Sequence, residues 1–273
     1  MTFAEQFLDL RFPVIHRGRM EALAQNLGNA KTMIGLPSPE MVKTIRSNTT
    51  VFAFSYKNGA ILAGDKRTSD GYFGLLSDTA VKIKQLSPFS AVAFAGSCNV
   101  IQFIEDNMVA FCTSFKAKYG KDPSPDGQAN HLRDLLEPWY YLFVFYWYWS
   151  LAMPVFAAFD KHQNRPRIIF FDETGWHLDM SDPAFAGTGC GFEQVRGLIR
   201  ERLQRREEVD VNVAIDLTMR AMIQSGLTST GVSDARITLP SVATIEKCGF
   251  KWVDKNVLAK KRDQIVKEMG GLR

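Results

Sequence analysis

The chain has 273 residues, 46% of them hydrophobic and 12% aromatic, long enough to bury one large core. Its formal net charge of +4 is too small, and its basic residues too scattered, for a nucleic-acid footprint. The four cysteines, Cys98, Cys112, Cys190 and Cys248, show neither CxxC spacing nor a pairing pattern. Reduced thiols in a cytoplasmic protein are therefore expected, with no disulfide framework and no metal set.

Residues 1–48 hold two short helical stretches, near Met20–Leu27 and Pro39–Arg46, divided by Pro37-Ser38-Pro39. No secretory apolar region is visible, because Glu5, Asp9, Arg11, His16, Arg17 and Arg19 cut the first turns. This leader reads either as a docking arm or as a propeptide. Two strands follow, Val51–Tyr56 and Ala60–Asp65, joined by a Lys57-Asn58-Gly59 turn. Further strands are expected near Lys82–Leu86 and Ala91–Ala95. A helix runs from about Asn99 to Tyr119, with Ile101, Ile104, Met108, Phe111 and Phe115 at helical spacing and Gly120 at its end.

Pro138–Phe159 carries no charge over 22 residues, enough to cross a bilayer. Its Trp and Tyr residues run throughout rather than gathering at the ends, and Pro154 interrupts it. It is read instead as a packed helix, Leu132–Leu151, then a buried strand, Val155–Phe159. The excess of aromatic surface points to a contact between subunits. Strands near Arg167–Phe171 and Trp176–Met180 come next. Helices near Gly191–Arg205 and Val211–Gln224 precede strands near Ser233–Thr238 and Ser241–Lys247. A charged tail after Trp252 reads as a surface helix. Strands, helices, strands, helices, strands is the order of an α+β protein, a four-layer αββα sandwich.

The chemistry concentrates at Thr49-Thr50. None of the four histidines, His16, His131, His162 and His177, lies in a nucleophile motif, and neither GxSxG nor HExxH occurs. Gly187-Thr188-Gly189-Cys190-Gly191 is not a phosphate-binding fingerprint and reads as a tight strand-to-helix turn. Asp234 reads as a turn residue. A threonine hydroxyl is inert at neutral pH without a base. One base remains, an α-amino group on the threonine itself, whose ordinary pKa of about 7.7–8.0 leaves it partly neutral. That scheme requires Thr49 to be the first residue, so that residues 1–48 are removed at the Asn48–Thr49 bond. An ammonium at Lys82, held by the Asp65 carboxylate, would tune the amine.

Thr49-Thr50, Leu62-Ala63-Gly64-Asp65-Lys66-Arg67, Lys82-Ile83, Ala93-Phe94-Ala95-Gly96-Ser97, Gly187-Thr188-Gly189 and Thr230-Gly231 together carry a resemblance. The stretch from Thr49 to about Ile245 resembles the β-type subunits of the 20S proteasome, in their bacterial, actinobacterial style. The family spacing of sixteen between threonine and aspartate fits Thr49 and Asp65 and selects Thr49 over Thr50. The resemblance implies Thr49 as nucleophile, Asp65 and Lys82 as its tuning pair, and the Gly96 N–H as oxyanion donor. It places Thr188 where the family usually has serine and Thr230 as a second supporting hydroxyl. Phe94, with Ser69 and Cys98, would line the pocket for the residue before the cut, with Phe94 as its floor. It further implies a propeptide over 1–48, a catalytic domain over 49–254 and a tail over 255–273. The expected partners are protein or peptide substrates, other β-type subunits in stacked heptameric rings, α-type subunits and an ATP-driven unfoldase, with no nucleic acid, membrane or cofactor. Asn48 stands where the family usually has glycine, and Leu227 where it usually has aspartate. A catalytically silent ring subunit, or more distantly a small-molecule amidase of the same nucleophile type, is the alternative.

Overall fold

The computed structural model describes residues 49–70, 74–146, 151–172, 174–181, 184–204 and 209–270. The readings made for residues 1–48, Asn48 included, and for Trp147 to Trp149 lie outside them. In chain order the strands are β1 (Val51–Tyr56), β2 (Gly59–Gly64), β3 (Thr68–Asp70), β4 (Gly74–Ser77), β5 (Ile83–Ser87) and β6 (Ser90–Gly96). Helices α1 (Cys98–Tyr119) and α2 (Pro125–Tyr146) follow, then β7 (Ala152–Asp160), β8 (Arg165–Phe171), β9 (His177–Asp179) and β10 (Phe185–Thr188). The chain continues through α3 (Phe192–Gln204), α4 (Val211–Thr228), β11 (Ser241–Glu246), β12 (Gly249–Trp252) and α5 (Lys255–Glu268).

Two five-stranded antiparallel sheets, ordered β10-β1-β2-β11-β12 and β5-β6-β7-β8-β9, lie face to face, and β3-β4 forms a separate ribbon. Strand alternation sorts the side chains. Phe52, Phe54 and Tyr56 of β1 pack with Val195, Met219 and Leu258 from α3, α4 and α5. The intervening Val51 and Ala53 pack with Leu62, Ala93 and Ala157 between the sheets. On the far side, Val92, Phe94 and Phe156 meet Ile104, Met108 and Leu132 from α1 and α2. Bulky residues thus face the helices, and small ones let the two sheets approach. The result is the four-layer αββα sandwich of an N-terminal nucleophile hydrolase fold.

Pro154 does not interrupt β7. It sits inside the strand, opposite Phe94. Phe159 N–H bonds Phe89 on the β6 side, so Pro154, of opposite parity, turns its nitrogen toward β8. Pairing with β8 begins at Val155, so the missing N–H falls at the end of that ladder, where at most one terminal bond is lost. The strand expected over Ser233–Thr238 is instead a turn. The Asp234 carboxylate accepts from the Arg236 N–H, and the Asp234 carbonyl accepts from the Ile237 and Thr238 N–H groups, closing the backbone locally. The tail helix, α5, is capped by Asp254 and buries Leu258 and Ile265 against the first sheet's helices. Among the described residues no helix is long and apolar enough to cross a membrane.

Candidate active site

The β1–β2 hairpin brings Thr49 and Asp65 together. Val51 pairs with Gly64, and the Asp65 N–H bonds the Thr50 carbonyl. Lys82 arrives from the other sheet, just before β5, where its carbonyl accepts from Phe94. Its stem passes Gly64, where a Cβ would lie 3.2 Å from Lys82 Cβ and 3.3 Å from Val51 Cγ1. The Lys82 ammonium donates to Thr49 Oγ1 at 2.6 Å and to Asp65 Oδ1 at 2.6 Å.

Asp65 is only 1% exposed, yet its oxygens are well supplied. Oδ1 also accepts from the Thr50 N–H at 2.9 Å, and Oδ2 accepts from the N–H groups of Arg67 at 2.9 Å and Ser233 at 3.2 Å. Such satisfaction is what makes a buried charge tolerable. Burial pushes the Lys82 ammonium below the ordinary lysine range; the charge and hydrogen bond of Asp65 oppose that, with weaker help from Cys190 and Cys98. An ammonium donating to the Thr49 hydroxyl leaves the hydroxyl proton free for a base and stabilises the oxygen as charge develops on it.

Gly96 ends β6 at φ +130°, and a Cβ there would lie 2.2 Å from the Leu151 carbonyl oxygen. Only glycine fits. Since the Phe94 N–H points to Lys82, the alternation of β6 aims the Gly96 N–H toward the same edge. Cys98, exposed, opens α1 just beyond, with Ser97 as N-cap. Phe94 itself is 1% exposed and belongs to the core shared with α1 and α2. Ser69 is half-buried on β3.

The other side of Thr49 is built by the turn from β10 into α3 and by the end of α4. At Gly189, φ +92°, a Cβ would strike the Thr49 carbonyl oxygen at 2.2 Å. The Gly191 N–H donates to that same carbonyl at 3.2 Å. Thr50 and Ser225 are fully buried with their hydroxyls hydrogen-bonded to each other, and a Cβ on Gly191 would fall on both oxygens. Cys190 Sγ lies 3.1 Å from Ser229 Oγ and 3.9 Å from the Thr49 carbonyl oxygen. Thr188, opposite Val51, donates its hydroxyl to Met153 Sδ at 3.7 Å. Thr230 is exposed, and its carbonyl accepts from Arg67 Nη1 at 2.9 Å. Leu227 is 41% exposed in the last turn of α4.

Sequence reasoning thus assembled Thr49, Asp65 and Lys82 but missed Ser225, Ser229 and Ser233. The available signal was the spacing of four between Ser225 and Ser229, one turn apart where α4 ends. Ser233 was hidden inside the supposed strand. Among the described residues no three His, Cys, Asp or Glu side chains are placed to share a metal ion.

Residues 45–239 match the sequence model of the family described as proteasome subunit. The chain is 28% identical to the proteasome subunit beta of Acidimicrobium ferrooxidans, over 82% of each chain. It is 27% identical to that of Streptomyces griseus, over 86% of each, and 26% identical to that of Jonesia denitrificans, over 80% of this chain and 70% of that one. With the matched region running from β1 through α4 and holding the Thr49 cluster, the chain belongs to the proteasome subunit family, among its bacterial β-type members.

Proposed function

We propose that this chain is a threonine endopeptidase subunit of a barrel-shaped proteasome, with Thr49 as nucleophile after loss of residues 1–48. The observation that carries the reading is Lys82 Nζ at 2.6 Å from both Thr49 Oγ1 and Asp65 Oδ1. Removal of the leader begins with Thr49 Oγ adding to the Asn48 carbonyl carbon. The amide nitrogen of Thr49 leaves as an amine, giving an ester, and water hydrolyses the ester to an Asn48 carboxylate and a free hydroxyl. In turnover that freed amine takes the hydroxyl proton as Oγ attacks a substrate carbonyl, and passes it to the leaving amine. The Gly96 N–H supports the oxyanion, and water releases the acyl group. Residues 49–254 form the catalytic domain and 255–273 the tail. Unfolded protein is the substrate, and other β-type subunits in rings, α-type subunits and an unfoldase are the partners.

Intact-mass measurement of the purified chain tests this. A species beginning at Thr49 that disappears in Thr49→Ala, along with peptide hydrolysis, is the expected result. Only full-length chain and no hydrolysis would favour the second reading, a silent ring subunit. That reading has its own motive, the exposed Leu227 where a supporting carboxylate is expected.

A further inference from the structure

Two polar contacts converge on the main chain of Thr49 from the side away from Asp65. One is the Gly191 N–H on its carbonyl at 3.2 Å. The other is the thiol of Cys190, 3.9 Å from the same carbonyl oxygen and 3.1 Å from Ser229 Oγ. Gly189 permits this approach, because any larger residue would collide with the Thr49 carbonyl. The support that the family usually has on this side is changed in this chain: Thr230 is exposed with its carbonyl accepting from Arg67, and position 227, usually aspartate in the family, is an exposed leucine. Ser229 is tied in place by its N–H, which closes on the Ser225 carbonyl at 3.0 Å, and Ser225 is in turn bonded to Thr50. Residues 49 and 50 are therefore both held by the end of α4, one through Cys190 and one directly.

We propose that Cys190 and Ser229 are positioning residues for the nucleophile, taking over the supporting place that Thr230 and a carboxylate at position 227 would fill. This rests on the reading of Thr49 as nucleophile. The thiol bridges Ser229 to the Thr49 main chain and so sets where Oγ1 stands relative to Lys82. A serine at position 190 keeps a donor and acceptor there; an alanine removes both.

The test uses the full chain in its assembled state, as parent, Cys190→Ala, Cys190→Ser and Ser229→Ala. Peptide hydrolysis should lose about tenfold in kcat in Cys190→Ala and Ser229→Ala, with KM unchanged, as for an interaction that matters in the transition state. Cys190→Ser should recover most of that loss. In parallel, hydrogen exchange over residues 49–56 should accelerate in Cys190→Ala and return toward the parent rate in Cys190→Ser. A parent with no Thr49 N-terminus and no hydrolysis would sink the nucleophile reading, and the exchange arm would still judge the positioning claim. A kcat in Cys190→Ala within twofold of an active parent, or unchanged exchange over 49–56 in a silent one, overturns it.

Discussion

Thr49 stands between two unlike arms. On one side, Asp65 accepts from Thr50, Arg67, Ser233 and Lys82, and the partners stand one residue ahead of β1, β3 and β5 or at the turn that starts at Ser233. On the other, the contacts are hydroxyls, a thiol and one glycine amide, with Leu227 exposed. The first arm is charged and over-determined. The second is neutral, and sterically exacting rather than electrostatically strong. The difference teaches that the placement of the nucleophile and the tuning of its proton are separable in this fold. Substitutions in the first arm should strike both, and substitutions in the second mainly the rate.

Asp65→Asn is expected to have the largest effect. The amide keeps the shape but leaves the Lys82 charge buried without a counter-charge, a defect that costs about 3–5 kcal/mol. Urea denaturation should report that loss, and peptide hydrolysis should fall by more than about a thousandfold, since the hydroxyl loses its tuned neighbour. An Asp65→Asn protein as stable as the parent would dissolve the contrast between the arms. Gly96→Ala should come next. The new methyl meets backbone, at the Leu151 carbonyl, and the φ of +130° is forbidding for alanine. A loss of about 2–3 kcal/mol is expected from strain at such a position, along with the loss of oxyanion support.

Alkaline titration separates the arms by sign. Lys82 has a folded-state pKa below the ordinary 10.5. Between that folded value and 10.5, the folded chain has released a proton that the unfolded chain still holds. Stability contributed at Lys82 therefore rises with pH across this window. Replacing Lys82 by methionine should flatten that rise relative to the parent in urea melts taken across the same range. An unchanged slope would mean that the lysine is not desolvated. Leu227→Asp acts on the second arm alone. A carboxylate in the last turn of α4 opposes the helix dipole by about 0.3–1 kcal/mol, so a slight fall in stability is expected. Peptide hydrolysis should stay within about twofold of the parent, because Cys190 and Ser229 already hold Thr49 on that side. A several-fold rise would indicate that the arm lacks a charge which those two residues do not supply.

How much of this was readable in the sequence follows from the same division. The hairpin that joins Thr49 to Asp65 is local, two short apolar strands about a turn that the sequence put at Lys57-Asn58-Gly59 and the structure closes at Lys57-Asn58, so its consequence could be read along the chain. Lys82 was placed by family spacing, because nothing local says that β5 will lie over β2. The second arm depends on where α3 and α4 dock, a tertiary outcome that leaves only a pair of serines at helical spacing. Pro154 was read as a break in the apolar run with a strand after it at Val155, and β7 instead begins at Ala152, before the proline. A proline is tolerated in a strand where its nitrogen falls at the end of a ladder, and the reach of β8 is not written at residue 154. The Ser233–Thr238 stretch shows the reverse, as the Asp234 side chain competes with extended backbone more strongly than Val232 and Ile237 favour it.

Arg67→Lys should be the mildest change and bears on how the two arms communicate. The guanidinium spans Asp78, with Nε and Nη2 at 2.9 and 3.0 Å, and Nη1 reaches the Thr230 carbonyl at 2.9 Å. The backbone N–H of Arg67 meanwhile holds Asp65 Oδ2. One residue thus links the charged arm to the loop beyond Ser229. Lysine keeps the charge but cannot form the paired bonds to Asp78 and reach Thr230 at once. The pair is partly exposed, so the stability cost should stay below about 1 kcal/mol. If the loop is held to the site through this guanidinium, hydrogen exchange over residues 229–234 should quicken in Arg67→Lys while exchange at residues 51–56 stays at the parent rate. Acceleration of both together would mean that the arms open as one unit, and their separation would have to be given up.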